Sequence, residues 1–332
     1  MSGPQRLDIG ADAKGQRLDR VLAERLQRSR SRIQDDIVAE RILVDGKTAR
    51  PASRLAGGEV VTVVEAPPAA SARLESEDLP LAILWEDTDL AVLDKPAGLA
   101  VHPGAGRPVG TLCHRLVARY PEIAGVGHPQ RPGIVHRLDI GTSGVLVVAR
   151  NDESYQRLAR AFALRQVAKE YLAIAHGAAP VRFLVEQPIA RHPTQRQRMT
   201  VRAGGRAART EGERLDLAAR DRLSLVLVRL HTGRTHQIRV HLKHAGHPLV
   251  GDPLYGEARW KELSGAARTA VRAFPRPALH AWRLTFEHPR TGDLRSFAAH
   301  PPSDLVELWS AVRGRAIDGL LATRPALSPA LD

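Results

Sequence analysis

HRLDIGTSGVLVVA, residues 136–149, sets one carboxylate, Asp139, between an arginine and a tight Gly-Thr-Ser-Gly turn, directly against the apolar run Val145–Ala149. Five apolar residues bounded by turn formers are too few for a helix and read as a buried strand, so Asp139 stands at the strand's entrance. An Asp before Gly is also an ordinary turn former, and Thr-Ser-Gly can satisfy backbone groups locally. The surrounding sequence has to decide between a turn and a reactive site.

Working outward, LAILWEDTDLAVLDKPAGLAVHPG, KEYLAIAHG, LSLVLVRLHTGRTHQIRVHL and HAWRLTFEHP read as short strands. TLCHRLVARY and DESYQRLARAFALRQ, between them, have helix-like patterning. This predicts an α+β unit over 81–315 with a mixed, largely antiparallel sheet. Before it, LDRVLAERL carries Leu18, Val21, Leu22 and Leu26 at helical spacing, and a second helix is expected after Ser31 as N-cap, with Ile33, Ile37 and Val38 on one face. ILVDGKTA then reads as a hairpin around Asp-Gly, and GGEVVTVVEA as a strand, making a small αβ unit over 1–66. Pro, Ala and Ser dominate residues 67–80, as in a linker, and residues 316–332 lose periodicity and are expected to be a disordered tail.

Composition narrows the partners. The 332 residues are 43% apolar, enough for a true core, and the single cysteine, Cys113, excludes an intramolecular disulfide framework and a cysteine metal cluster. The polar start lacks a leader-like apolar segment and no apolar run approaches a membrane span, so a cytoplasmic protein without a membrane partner is expected. Lys and Arg exceed Asp and Glu by 49 to 36, a formal +13 that favours polyanions. The surplus is local: between Arg191 and Lys243 thirteen cations face four acids. No aromatic occurs from Leu184 to Leu254, so arginine–phosphate contact suits this stretch better than base stacking.

Other chemistries fail on spacing. GAGRPVG has its third glycine one place late and a proline inside, which does not meet dinucleotide geometry, and there is no Walker A lysine motif. A zinc nucleobase deaminase needs more than one cysteine. His231, His236, His241, His244 and His247 are dense, but strand-like alternation along THQIRVH would split them between two faces, and no metal site is expected.

RLDxxLAxxL, SRSRIQxxI, ILVDGK and GGEVVTV, in this order, resemble the S4 RNA-binding domain. Arg28, Arg30, Arg32, Arg41 and Lys47 are then expected RNA contacts. HRLDIGTSG, with LDKPAGLAVHPG upstream and KEYLA, HTGRTHQIRVH, GDPLYG and LHAWRLTFEHPRTG downstream, closely resembles the RluA/RluD type of pseudouridine synthase, from Arg17 to about Leu308. Within that family, the S4-like unit together with IARHPTQRQRMTV is most like members acting on large-subunit ribosomal RNA. One departure is that Ile140 and Gly141 stand where the family commonly has a charged pair.

The resemblance implies that Asp139 is the catalytic aspartate, Tyr171 the active-site tyrosine beside the uracil, and Arg234 the basic partner of the aspartate. It further implies that Arg137 helps displace the target base, and Arg191, His192, Arg196 and Arg198 are expected RNA contacts. The residue types suit the reaction. Uridine isomerisation breaks the bond from N1 to ribose and joins ribose to C5, with nothing oxidised and no atom added, so no cofactor is expected. A carboxylate can attack or stabilise the sugar, and a guanidinium in contact would favour its ionised form against burial. Attack on sugar, attack on the ring and elimination all remain open. Tyr171 offers a flat face and a hydroxyl; without the KEYLA context it reads as an amphipathic core tyrosine. The expected partner is ribosomal RNA of the large subunit or its assembly precursor, met by a monomer. The rivals are a noncatalytic RNA-binding or ribosome-assembly factor, a transfer-RNA synthase of the same family, and an RNA base glycosidase.

Overall fold

The computed structural model describes residues 4–26, 28, 30–64, 74–104, 107–218, 220, 222–314, 317–321 and 324–325. The N-terminal unit contains β1 (Gln5–Asp8), α1 (Leu18–Arg25), α2 (Arg30–Val38), β2 (Ile42–Val44), β3 (Lys47–Thr48) and β4 (Val60–Val63), with sheet order β1-β4-β2-β3. Leu18, Val21 and Leu22 of α1 and Ile33 and Ile37 of α2 bury against Ile42, Val61 and Val63. Each such side chain contributes roughly 1.5–3 kcal/mol of burial, which holds two short helices that would not be stable alone. Asp45 and Gly46 both have positive φ, 49° and 74°, as a two-residue hairpin turn requires.

Two sequence expectations change here. Ser31 lies inside α2 and does not cap it, because the helix already begins at Arg30. The polar start also supplies β1, which pairs Gln5 with Val63 and Asp8 with Val60, a strand that composition alone concealed.

The larger unit follows as β5 (Ile83–Glu86), β6 (Leu90–Lys95), α3 (Leu112–Arg119), β7 (Gly127–His128), β8 (Arg131–Pro132), β9 (Ser143–Ala149), α4 (Asp152–Ala163), β10 (Ala168–His176), β11 (Arg182–Glu186), β12 (Ile189–Arg191), β13 (Met199–Val201), β14 (Arg209–Ala218), β15 (Leu223–Leu230), α5 (Gln237–His244), α6 (Gly265–Ala273), β16 (Leu279–Glu287), β17 (Leu294–Ala298), α7 (Ser303–Arg313) and α8 (Asp318–Leu321). Its main sheet runs β11-β14-β15-β10-β16-β9-β6-β5, with β17 added on β16. Both faces are covered, and the strands alternate accordingly. On β10 and β15, Tyr171, Ala173, Val226 and Val228 face one core, while Leu172, Ile174, Leu225 and Leu227 face Trp282, Trp309 and α6–α8.

The junction that matters most joins β9 to β16. These strands run parallel for two residues, His280 opposite Ser143 and Ala281 opposite Gly144, in a sheet otherwise antiparallel among the described residues. Gly144 has φ 112°, and a Cβ there would lie 2.1 Å from the Ala281 carbonyl oxygen. Only glycine lets the two backbones approach so closely, so the Gly of the TSG turn fixes where the HRLD loop emerges from the sheet.

The boundaries shift at both ends. Residues 67–73 of the expected linker lie outside the described residues, as do residues 65–66 before it, and residues 74–80 are tied to the larger unit. Glu77 Oε1 accepts from Gly110 N at 2.7 Å and Arg115 Nη1 donates to Pro80 O. At the far end, Ile317 and Leu321, one helical turn apart, are buried in the second core, and Arg324 pairs with Glu213. Residues 326–332 of the expected tail lie outside the described residues.

Candidate active site

The HRLD loop enters β9 through a turn in which Thr142 N donates to Asp139 O at 3.0 Å, and the Lys95–Gly104 loop braces it, Gly98 N donating to Ile140 O at 2.7 Å. Beneath that second loop Lys95 is 1% exposed, its Nζ donating to the carbonyls of Pro96 and Leu99. Burial brings its pKa down to about 7, partly offset by the negative charge of Asp139. Ile140 is exposed, and Gly141 leaves its carbonyl to Arg276 Nη1, where a Cβ would meet Pro277 at 2.8 Å. The departure from the charged family pattern therefore puts a small residue where space is short.

Asp139, partly exposed, lines an open cleft together with Arg137, Thr142, Tyr171, Arg234, His236 and Arg239. Its cationic partner is Arg239, whose Nη1 donates to Asp139 Oδ2 at 3.0 Å. The other nitrogens of Arg239 hold Asp252, Nε to Oδ2 at 2.7 Å and Nη2 to Oδ1 at 2.8 Å. Asp252 also accepts from the amides of Leu254 and Tyr255 in the GDPLYG turn. Burial works against its charge, but Arg239 and these amides outweigh it and hold the carboxyl below its ordinary range. The expected pairing of Arg234 with Asp139 is therefore corrected. Arg234 lines the same cleft, but its Nε donates to Ala207 O.

The correction has a local cause. The segment after Thr235 is not a strand but α5, entered through His236 with φ 57°. Helical winding turns Ile238 and Leu242 into the core and Arg239 toward Asp139. Gln237 fixes the entry: its Oε1 accepts from Arg234 N and Thr232 Oγ1, and its Nε2 donates to Arg209 O and Thr210 Oγ1. The histidines disperse. His241 bonds to Thr210 and to Gln187 O, His247 to His176 O, and His236 Nδ1 to the Tyr255 hydroxyl at 2.8 Å.

Tyr171 stands on β10, 8% exposed, within the cleft. Burial first, and then the charge of Asp139, raise its phenol well above the ordinary tyrosine value, so it is present as a hydrogen-bond donor. Sequence reasoning missed three neighbours. Thr142, 2% exposed, lines the cleft with an unpartnered Oγ1. His236 Nε2 lies 3.9 Å from Asp139 Oδ2. The Tyr255 hydroxyl accepts from Met199 N at 2.7 Å and its ring lies 5.0 Å under the Arg239 guanidinium. All three belong to quoted motifs, but only the tertiary fold shows which atoms turn inward.

The expected RNA contacts have different settings. Arg137 is exposed at the cleft, and Arg191, His192, Arg196 and Arg198 ride on the β12–β13 hairpin. His192 Nδ1 accepts from the Gln195 amide and Arg198 donates to Gln195, which shapes the hairpin's tip. In the N-terminal unit Arg30 is bonded to the buried Asp19, and Arg28 and Arg41 to Asp36, so part of their charge is internally matched. Lys47 is exposed on β3; the side chain of Arg32 lies outside the described set.

Asp87, Asp89 and His288 bring ligand-type atoms within 4.8 Å of one another. His288 Nε2 is bonded to Asp87 Oδ2, while Arg290, Asn151 and Ser154 donate to Asp89 Oδ1. These bonds account for the cluster as an ion-paired brace for β5–β6 and leave its donor atoms engaged.

A carboxylate bonded to a buried guanidinium, with a buried phenol lining the same cleft, is a polar arrangement held in place by the fold. Residues 89–244 match the RNA pseudouridylate synthase family and residues 16–61 the S4 domain. The chain is 44% identical over 311 residues to ribosomal large subunit pseudouridine synthase D of Escherichia coli K12, covering 92% of this chain and 93% of the relative. It is 46% identical over 306 residues to the protein of that name in Xanthomonas campestris pv. campestris, covering 91% and 90%. Among solved structures, human RNA pseudouridylate synthase domain containing 1 is similar with TM-score 0.55 and 28% identity, over 75% of this chain and 97% of that one. The chain belongs to the RluA family of RNA pseudouridine synthases and carries an S4 domain. It is an RNA isomerase.

Proposed function

We propose that the chain isomerises specific uridines of large-subunit ribosomal RNA, or of its assembly precursor, to pseudouridine, as a cytoplasmic monomer without a cofactor. The observation that carries the reading is the Arg239–Asp139 pair at 3.0 Å, facing Tyr171 in the cleft. Relatives named for this substrate support the choice of RNA.

In this reading the target uridine leaves its stack and enters the cleft, with Arg137 beside the space it vacates. Arg239 keeps the Asp139 carboxylate oriented toward the nucleoside while the N1–C1′ bond breaks. The freed uracil stays against Tyr171, turns, and bonds to C1′ through C5; the C5 proton leaves and N1 gains one, so the atoms balance. Tyr171 enters the reaction as a phenol, since the nearby carboxylate opposes its ionisation. If Asp139 becomes covalently bound, its charge is lost and that opposition falls, so Tyr171 gives up its proton more readily after the first bond change than before it.

The test is to map carbodiimide-adduct stops along total RNA from cells with and without the gene, and to repeat the assay with purified protein on large-subunit transcripts. Gene-dependent stops in large-subunit RNA are expected. Stops confined to transfer RNA would move the substrate, release of free uracil would make the enzyme a glycosidase, and an unchanged map would refute the reading. Asp139→Asn should bind RNA and make no pseudouridine.

A further inference from the structure

Arg234 at the cleft and basic residues beside it have no carboxylate partner among the described residues. Helix α4 closes with Arg165 in the left-handed region, φ 64°, its amide donating to Phe162 O and the next amide to Ala161 O. Glycine adopts that conformation without steric cost, whereas Arg165 holds it with an exposed guanidinium. Two positions before Tyr171 on β10 stands Lys169, half-buried, its Nζ 5.8 Å from the centre of the Phe162 ring. Phe162 in turn stacks on His136 at 4.5 Å.

Among the described residues, no carboxylate pairs with Lys169. His136 accepts from Val147 N through Nε2, and burial brings its pKa down to about 3, so it is neutral. Glu170, the next residue, points to the other face of the sheet, where Arg283 and Arg229 hold it. The charged neighbour of Lys169 is Arg165, and Arg165 also stands within electrostatic reach of Arg234, which Arg206 flanks. Among the described residues, none of Arg165, Lys169, Arg206 and Arg234 makes an ion pair with a carboxylate. This contrasts with Arg28, Arg30 and Arg41, each matched to an aspartate.

We propose that Lys169, Arg165, Arg234 and Arg206 form an anion site for the phosphodiesters of the RNA strand beside the target uridine. The inference rests on the RNA-directed reading above and adds the place where the backbone is gripped. A uridine seated against Tyr171 remains tied to its strand, so its backbone must leave the cleft past the rim. Arg234 lines that cleft and Lys169 precedes Tyr171 on the same strand. Guanidinium forks match phosphate oxygens, and an ammonium on a flexible four-carbon stem adds a point charge.

The site also has a built-in pH response. Burial, with Arg165 adding repulsion, brings Lys169 down to about 8. The groups facing it are Arg165 and the neutral His136, so the response is assigned to Lys169. RNA should bind its protonated form and weaken as pH rises through 8.

The test uses the full-length enzyme and a large-subunit RNA oligonucleotide spanning a uridine that the wild type modifies, with single neutral methylphosphonates placed around it. Arg165→Gly, which removes the charge and suits the backbone, and Lys169→Met should each raise KM about tenfold with a smaller fall in kcat. Each should lower the slope of log affinity against log salt by about one phosphate's worth. One methylphosphonate should weaken the wild type and have no further effect on the matching variant. Lys169→Arg should restore affinity and abolish its pH dependence between pH 7 and 9. Unchanged KM and slope in both variants, or equal sensitivity of wild type and variants at every phosphate, would overturn the site while leaving the functional reading intact. A wild type that forms no pseudouridine would overturn that reading instead.

Discussion

Asp252 grips Arg239 with both carboxylate oxygens, at 2.7 and 2.8 Å, and leaves its remaining terminal nitrogen aimed at Asp139. A guanidinium is planar, so two bonds on one edge fix the direction of the third. The GDPLYG turn is thereby a positioning device for an atom it never touches. Asp252→Asn should lower the single-turnover rate by about 10–100-fold, as loss of a supporting partner does, with a smaller change in KM. Rapid-quench assays at saturating RNA, with circular dichroism to confirm folding, measure this; an unaltered rate in folded protein would remove Asp252 from the mechanism.

Arg234 and Arg239 lie five residues apart in one motif but act in different places. Arg239→Gln removes the charge from Asp139 and should cost about 10²–10³-fold in the chemical step, comparable to losing a buried electrostatic donor. Arg234→Gln should act mainly on KM, because its guanidinium contacts the Ala207 carbonyl and the cleft rim. Comparing kcat with KM for the two variants on one RNA separates the roles, and a larger kcat loss in Arg234→Gln would reverse the assignment.

The contrast shows what the sequence could and could not convey. Asp139 is legible because HRLDIGTSG and its flanking motifs resemble the family's pattern, whereas alone it reads equally as a turn former; the buried strand behind it is plain from VLVVA. Choosing between Arg234 and Arg239 requires knowing that His236 is left-handed and starts a helix. Ile238 and Leu242, four apart, with Gly246 beyond, carried that signal. The alternation of THQIRVH, a coincidence over so few residues, masked it. The four-stranded N-terminal sheet was partly hidden for a similar reason: β1 has a half-polar surface strand's composition, and its place is set by pairing with β4. The contact of Tyr255 with Met199 and His236 joins residues far apart in sequence and had no local signature.

The N-terminal unit has its own core, made entirely of residues between Leu7 and Val63. Deleting residues 1–66 should therefore leave the catalytic sheet folded, with a cooperative melting transition, and weaken or misdirect RNA binding. The comparison is anisotropy with large-subunit RNA against an unrelated transcript, alongside pseudouridine yield at each site. Equal affinity, selectivity and yield after the deletion would show that the S4 domain does not direct this enzyme.

Lys95 makes stability depend on pH in a direction that can be worked out. Its folded pKa is about 7, below the ordinary lysine value of 10.5, because burial disfavours the ammonium. Between those values the unfolded chain holds a proton at this position that the folded chain has released, so unfolding becomes harder as pH rises. Asp94, Asp139 and Arg276 are the charges around it. Lys95→Met removes the titration together with the two bonds to Pro96 O and Leu99 O. The wild type should gain stability over the variant, by about a few kcal/mol, as pH rises from 7 toward 10, with little change in the difference below pH 6. Urea midpoints for both proteins at pH 6, 7.5 and 9 check this. Parallel curves would mean that the ammonium beneath the HRLD brace stays charged, and would put a permanent cation behind Asp139.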